Sequence, residues 1–329
     1  MIFITGATGF LGSNILKKLV DQNETVVAIK RKESSLHMLG NYKDKVKWIE
    51  GDVNDISTLE SAMTGCRLVY HCAATISLSN KDRTSMYKAN VEGTANIVNL
   101  SLYHKVQKLV HVSSVSALPA LEDRLIDESS IWYNKPYPST YGLTKFLAER
   151  EAQRGIAEGL NTIILCPSSI IGACNWNSGS GLFFTNMYRG IPFYTEGSGG
   201  FVDVEDVANI AIRCMNNQEI NNDKFIVSGS NLSYKDFFGM IAKSMGKRPP
   251  SLKLNFLLGQ MAIYQDAMKC ALLGTERIVT QEALEMAKIK TMYSNSKVKE
   301  LLAYQFIPIE QTVAATSAVF LNETKRRNR

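Results

Sequence analysis

Short apolar runs rich in β-branched residues alternate, through the first half of the chain, with longer stretches in which apolar positions recur every three to four residues. Ile2–Thr5, Thr25–Ile29, Val46–Glu50, Leu68–His71, Lys108–Ser113 and Asn161–Cys166 have the pattern of strands, and Phe10–Asp21, Ile56–Met63, Tyr87–His104 and Thr140–Glu158 that of helices. Such alternation predicts βαβ units, in which right-handed crossovers lay helices on both faces of a parallel sheet. After Pro167 the alternation breaks, and residues 172–200, rich in Gly, Ser, Asn and aromatics, read as loop with short helices. Phe201–Val204 and Phe225–Ser228 read as strands flanking a helix at Val207–Met215, and from Tyr234 onward the pattern is mainly helical, interrupted at Pro249-Pro250. The predicted fold is α/β, a doubly wound parallel sheet whose later strands return after an excursion into a smaller, helix-rich C-terminal lobe. Residues 1–171 with 201–229 are assigned to the sheet domain, and 172–200 with 230–329 to the interwoven lobe.

A length of 329 residues suits about two domains. With 45% hydrophobic and 21% charged residues the chain can bury a full core, which excludes a disordered, collagen-like or disulfide-stapled scaffold. The formal net charge is +6, but Lys325-Arg326-Arg327-Asn328-Arg329 contributes four of the positive charges. The rest of the chain is close to neutral, so no nucleic-acid partner is expected. The six cysteines, Cys66, Cys72, Cys166, Cys174, Cys214 and Cys270, form no CxxC pair and have no His cluster nearby. No metal site is expected, and reduced core thiols point to the cytoplasm. Met1-Ile2-Phe3-Ile4 already reads as a strand, so no cleavable leader is expected. The most apolar stretch, Leu252 to Leu273, is broken by Lys253, Asn255, Gln260, Gln265, Asp266 and Lys269, so membrane anchoring is not expected either.

Thr5-Gly6-Ala7-Thr8-Gly9-Phe10-Leu11-Gly12 joins the first strand to the first helix. In such a turn the first glycine permits the reversal, the second lets a pyrophosphate approach the backbone, and the third lets helix and strand pack closely. Unpaired N–H groups and the helix dipole then hold the phosphates, which marks Gly6, Thr8, Gly9, Phe10, Leu11 and Gly12 as dinucleotide-binding candidates. The GxxGxxG spacing resembles that of the short-chain dehydrogenase/reductase superfamily, in its extended branch, and so implies a Rossmann-type fold. NAD enzymes usually place an acid about 20 residues past the glycines. Here the second strand ends in Lys30-Arg31-Lys32, with the first acid at Glu33. Arg31 matches the arginine of NADP-using relatives, where a guanidinium pairs with the 2′-phosphate, and NADP is expected over NAD. A solvated charge run at a strand end is the plainer alternative. The resemblance further implies that Asp52, with Val53, contacts the adenine, an ordinary turn carboxylate being the alternative for Asp52, and that Cys72, Ala73 and Ala74 pass beneath the pyrophosphate and ribose. His71 reads as a core or strand-end histidine rather than a catalyst.

Tyr141-Gly142-Leu143-Thr144-Lys145 opens a helix, and a spacing of four puts Tyr141 and Lys145 on one face. Tyrosine titrates near pH 10, and an adjacent ammonium would lower that value toward the range useful for acid–base work. Val112-Ser113-Ser114-Val115-Ser116 ends the fifth strand, where the crevice of an open α/β sheet lies. The resemblance places the substrate-binding hydroxyl at Ser114, with Ser113 and Ser116 as competing positions. The aromatic that the family carries after this segment is replaced by Ala117-Leu118-Pro119. Asn90, in Lys88-Ala89-Asn90-Val91-Glu92-Gly93-Thr94, matches the family's NxxGT segment and either contacts the cofactor, orders the site or is purely structural.

Pro167-Ser168-Ser169-Ile170-Ile171-Gly172 resembles the segment lining the nicotinamide, which makes Pro167 and Ile170 candidates. Phe201-Val202-Asp203-Val204-Glu205-Asp206-Val207-Ala208 resembles the family's FVDVxDVA element, its acids read as helix caps. Within the branch, Arg31, Asp127-Glu128-Ser129-Ser130 and the Pro167 segment resemble dihydroflavonol 4-reductase-like and 3β-hydroxysteroid dehydrogenase-like members. The implied function is reduction of a ketone or aldehyde by NADPH, or the reverse, with Ser114, Tyr141 and Lys145 as the catalytic set, Tyr141 and Lys145 also contacting the cofactor and Lys145 binding the nicotinamide ribose. Aromatics Trp176, Phe183, Phe184, Tyr188, Phe193 and Tyr194 in the lobe suit an apolar or ring-shaped small-molecule substrate, although aromatics in a lobe are more often core. A nucleotide-sugar epimerase or dehydratase that recycles its cofactor internally is the alternative, with Arg189, Arg248 and Lys253 available for a diphosphate. A non-catalytic NADP-binding regulator using its basic tail is the third reading. A homodimer is compatible with the family.

Overall fold

The computed structural model describes residues 1–77, 80–121, 124–132, 139–255, 259, 284–285 and 287–327. Pro138, Cys270, much of the Leu252–Leu273 stretch and the last two residues of the basic tail lie outside them. The elements are β1 (Ile2–Thr5), α1 (Phe10–Asp21), β2 (Val26–Lys30), β3 (Lys47–Glu50), α2 (Ile56–Met63), β4 (Leu68–His71), α3 (Arg83–Tyr87), α4 (Gly93–Tyr103), β5 (Lys108–Val112) and β6 (Leu125–Ile126). They continue with α5 (Thr140–Ala157), β7 (Thr162–Pro167), β8 (Ser169–Ile171), α6 (Gly181–Tyr188), β9 (Phe193–Tyr194), β10 (Ser198–Asp203), α7 (Val204–Asn216), β11 (Asp223–Val227), β12 (Ser230–Ser233) and α8 (Tyr234–Ser244). A helix at Ile309–Arg327 follows near the C-terminus and carries Lys325 and Arg326 as part of its last turns.

Seven parallel strands form the main sheet in the order β3-β2-β1-β4-β5-β7-β11. The strand order reverses between β1 and β4, which is the Rossmann arrangement and opens a crevice at the carboxyl ends there. Period-two side-chain alternation builds two cores. Ile2 and Ile4 of β1 and Val26 and Ala28 of β2 pack with α1 and α7, whereas Phe3, Val27 and Ile29 pack with α2 and α4 on the opposite face.

Two expectations differ from this arrangement. Phe225–Ser228 does return to the main sheet, as β11, but the Phe201 strand does not. As β10 it pairs in parallel with β8 and antiparallel with β12 in a separate three-stranded sheet. Its Phe201 stacks on Phe237 of α8 at 3.8 Å, inside a lobe core shared with Trp176, Phe184 and Phe320. The single helix expected at Tyr87–His104 instead begins at Arg83 and passes through a π turn at Lys88–Glu92. That turn carries Asn90.

The helix starts are chemically specified. Asp55 accepts from Thr58 N at the start of α2, Ser139 from Gly142 N at α5, Asp203 from Glu205 N at α7 and Ser233 from Asp236 N at α8. Asp203 is thus a cap as expected. Asp206 is not; its buried carboxylate accepts from Tyr304 Oη at 2.8 Å and Ile307 N at 3.0 Å, docking the C-terminal segment onto α7.

Lys108, at the start of β5, is buried, and its ammonium donates to the carbonyls of Cys214 at 3.2 Å, Asn217 at 2.6 Å and Ile220 at 3.0 Å. A cation at a helix C-terminus satisfies carbonyls that the helix cannot, so it pins α7 against the sheet. Lys108→Met should lower unfolding free energy by about 2 kcal/mol in denaturant titration; an unchanged midpoint would show that the three bonds contribute nothing.

The five cysteines among the described residues are free, and among those residues no cluster fit to hold a metal ion occurs. No described helix is long and apolar enough to cross a membrane.

Candidate active site

The glycine turn follows β1 directly. Gly6 has φ +68°, and a Cβ there would lie 2.6 Å from Ala73 N, so the turn packs backbone to backbone on the segment after β4. A Cβ on Gly12 would lie 2.2 Å from Gly6 O, which fixes α1 tightly over the turn. Gly9 differs; it is the N-cap residue of α1, with no side-chain cap, and a Cβ there would meet only Gly6 O, at 3.2 Å. Its space is not filled by the protein itself, as a cradle for an approaching phosphate requires. No acidic residue occupies the first turn of α1. The Leu11 side chain belongs to the core, so only its backbone could face a ligand, and the Phe10 ring lies against Gly172. Thr8 is half-buried, as are Cys72 and Ala73, and Ala74 is exposed.

Ser114, Tyr141 and Lys145 converge at the carboxyl end of β5. The Ser114 side chain faces the Tyr141 hydroxyl, and its Oγ accepts from Ser116 N at 3.1 Å. Lys145 is buried, and its Nζ donates to Val112 O at 2.7 Å. The competing serines have other employment. Ser113 is buried and donates to Glu149 Oε2 at 3.1 Å, and Ser116 contributes its N–H to the short turn that orients Ser114. Close packing beneath the helix makes this register firm, because a Cβ on Gly142 would lie 2.6 Å from Ser116 O.

The electrostatics depart from the simple expectation. Burial pushes the Tyr141 hydroxyl up to about 12, and the hydrogen bond with Ser114 only partly opposes it. Burial likewise brings Lys145 down to about 8, against the nearby Cys166, Glu149 and Cys72. Lys145 alone does not overcome desolvation of the phenol, so the protein by itself keeps Tyr141 protonated at neutral pH. It therefore stands ready as an acid rather than as a base.

Asn90 has 1% exposure, and its amide is occupied by the protein: Oδ1 accepts from Thr75 N at 2.7 Å, and Nδ2 donates to Thr75 O and Thr144 Oγ1, each at 3.0 Å. Thr144 Oγ1 in turn donates to Tyr141 O at 2.9 Å. Of the roles left open, ordering the site is the one this geometry supports, and the expected cofactor contact has no free amide proton to make it.

Arg31 stands apart from this cluster. It is exposed just past β2 and pairs with Glu33 at 3.2 Å. Asp52 accepts from Asn54 N and Nδ2, both at 3.0 Å, and Val53 backs Gly93. Pro167 pairs with Val227 at the end of β7, and Ile170 with Val202 in the smaller sheet. The lobe aromatics expected to favour a ring-shaped substrate turn largely inward. Trp176 and Phe184 are buried in the lobe core, and Phe183 packs on Phe237 and Phe238.

Sequence reasoning missed Glu149 and Thr144. Glu149 sits one helical turn beyond Lys145, on the same stripe as Tyr141, and its Oε1 accepts from Lys224 Nζ of β11 at 2.9 Å. The i, i+4, i+8 spacing was the available signal; its strand partners were not readable.

Residues 2–228 match the NAD dependent epimerase/dehydratase family. A protein of Synechocystis sp., provisionally named dihydroflavonol 4-reductase, is 29% identical over 332 residues, covering 97% of this chain and 94% of that protein. One of Methanocaldococcus jannaschii, provisionally named UDP-glucose 4-epimerase, is 28% identical over 291 residues, covering 83% and 92%. The solved structure of gox2253 superimposes with a TM-score of 0.83 at 29% identity, covering 98% of both chains.

Proposed function

The chain belongs to the NAD dependent epimerase/dehydratase family, NAD(P)-dependent enzymes acting on CH–OH groups, and on that premise we propose that it is an NADP(H)-dependent oxidoreductase that interconverts a ketone or aldehyde with its alcohol. The observation that carries this reading is the convergence, at the carboxyl end of β5, of half-buried Ser114 and Tyr141 with buried Lys145, one helical turn along α5 from the tyrosine. The open glycine turn and the carboxyl ends of β1 and β4 would hold the dinucleotide, which supplies or accepts the hydride. Gly6, Thr8, Gly9, Phe10, Leu11 and Gly12 would take its pyrophosphate, Asp52 and Val53 its adenine, Cys72, Ala73 and Ala74 would pass beneath its pyrophosphate and ribose, and Pro167 and Ile170 would line the nicotinamide. In the reductive direction Ser114 orients the carbonyl oxygen, and Tyr141 donates its proton to the developing alkoxide. Lys145 stabilises the phenolate left behind. The relative named dihydroflavonol 4-reductase supports the reductive direction.

Arg31 is the residue assigned to the 2′-phosphate. Its pair with Glu33 is exposed and weak, so it is free to turn to a phosphate. Arg31→Ala should weaken NADPH binding by about tenfold or more, as loss of a charge-assisted phosphate contact does, while NADH binding stays the same. Equal losses for both cofactors would remove Arg31 from that role.

The pH dependence follows from Lys145. Its charged form predominates below about 8, and Tyr141 remains neutral far above that. Reduction by NADPH should therefore hold level through neutrality and decline above about pH 8 as the ammonium is lost. Initial rates from pH 6 to 10 test this, and a rate rising across that span would contradict it.

The second reading, a nucleotide-sugar epimerase or dehydratase, has in its support a cavity of about 410 Å³ lined by Thr195, Glu196, Lys253, Leu254, Asn255, Lys288 and Lys290, where Lys253 pairs with Glu196 and Lys288 and Lys290 would be the cations for a diphosphate. Product analysis separates the two.

A further inference from the structure

One hydrogen-bonded chain runs through the protein behind the site. Thr5, the residue before Gly6, lies 2.7 Å from Nδ1 of His71 through its Oγ1, and Nε2 of His71 lies 2.9 Å from Thr94 Oγ1. Thr94 Oγ1 donates to Asn90 O at 2.6 Å, and Ala73 N donates to Thr5 Oγ1 at 3.2 Å. These contacts allow only one order of protons. The Thr94 proton goes to Asn90, so Thr94 must accept from Nε2–H of His71; Nδ1 is then bare and accepts the Thr5 proton. The ring is thus a neutral Nε2–H tautomer, and burial, with the Lys145 charge adding to it, holds its titration far below the ordinary histidine range. Its ring neighbour His111, centroid 5.4 Å away, is buried with both nitrogens unpartnered and supplies no alternative bond.

We propose that His71 is a positioning residue that ties the glycine turn to the helix turn bearing Tyr141. From Thr5 and Ala73 on one side, the chain passes through His71 and Thr94 to Asn90. The Asn90 amide then grips Thr75 and Thr144, and Thr144 holds the Tyr141 carbonyl. The residues set for the dinucleotide and the residue set for proton donation are therefore held in one register. Every link is buried or half-buried and satisfied, the condition under which a polar network specifies a unique geometry. The ligand named in the test rests on the functional reading above; the link itself does not.

Thr94 is buried and its hydroxyl bonds His71 and Asn90, both links of the chain, so an effect of Thr94→Val on cofactor or turnover travels through that chain. That variant strips His71 of its acceptor, and should raise the NADPH dissociation constant and lower kcat by about threefold to tenfold each, the scale of one lost buried hydrogen bond. Thr94→Ser keeps the hydroxyl and should restore both. In the same Val variant the Ala73 and Thr75 amides should exchange with solvent faster, and in the wild type ¹⁵N-histidine spectra, assigned with His71→Gln, should show Nε2 of His71 protonated and Nδ1 bare. A Val variant that only melts earlier, with unchanged Kd, kcat and amide exchange, or a ring protonated at Nδ1, overturns the proposal. Should the wild type bind neither NADPH nor NADH, the functional reading fails, and amide exchange and the tautomer still decide the link.

Discussion

Tyr141→Phe is expected to reduce carbonyl turnover by about a hundredfold or more, the usual consequence of removing a positioned general acid. NADPH affinity should change little. The substitution keeps the ring at the start of α5 and removes only the hydroxyl that faces Ser114. Thermal stability should be nearly unaffected, because the hydroxyl removed belongs to a half-buried side chain. Kinetics with NADPH and cofactor fluorescence titration on one preparation separate the two quantities. Near-native kcat would remove Tyr141 from the chemistry, whereas a loss confined to affinity would make it a binding residue.

The second large effect contrasts two glycines three residues apart. Gly12→Ala forces a Cβ to within 2.2 Å of Gly6 O, backbone against backbone, so the turn must move and α1 with it. Both fold stability and dinucleotide binding should suffer severely. Gly9→Ala meets only one contact, at 3.2 Å, and the chain can absorb it with a small adjustment. Its unfolding midpoint should stay near that of the wild type while NADPH affinity falls by about tenfold or more, because the methyl group occupies the space a phosphate needs. Circular dichroism melts and NADPH titration of both variants test the contrast. Unaltered NADPH binding in folded Gly9→Ala would mean that the turn is structural and cradles no phosphate.

What could be read from the sequence was whatever depended on local periodicity. The residues of β1, α1, α2 and β4 are set by runs in which each side chain's neighbours lie one or two turns away, and these elements occur at the residues expected. The Tyr141–Lys145 face and the helix start at Thr140 are local in the same sense. What was hidden depends on partners far along the chain. The Phe201 run reads as a strand, but its Phe201 stacks on Phe237 of α8 and β10 pairs with β8 in a second sheet. The phenol of Tyr141 was expected to be lowered by Lys145, yet its titration is governed by burial, which no spacing encodes. Ser113 could be separated from Ser114 only through Glu149, 36 residues away. His71 looked like a core histidine, and it is one; that its two nitrogens join Thr5 to Thr94 appears only when β1, β4 and α4 are assembled.

The most direct measurement follows NADPH loss and product together. Purified protein is offered apolar ketones and aldehydes, flavonoid-like ketones, and UDP- or dTDP-sugars, and each product is identified. An oxidoreductase built on Ser114, Tyr141 and Lys145 must consume one NADPH for each alcohol formed from a carbonyl compound, and a Tyr141→Phe preparation must lose that activity. Conversion of a sugar nucleotide with no net loss of NADPH, alongside inactivity toward every carbonyl compound, would contradict the account and assign the site to epimerase or dehydratase chemistry.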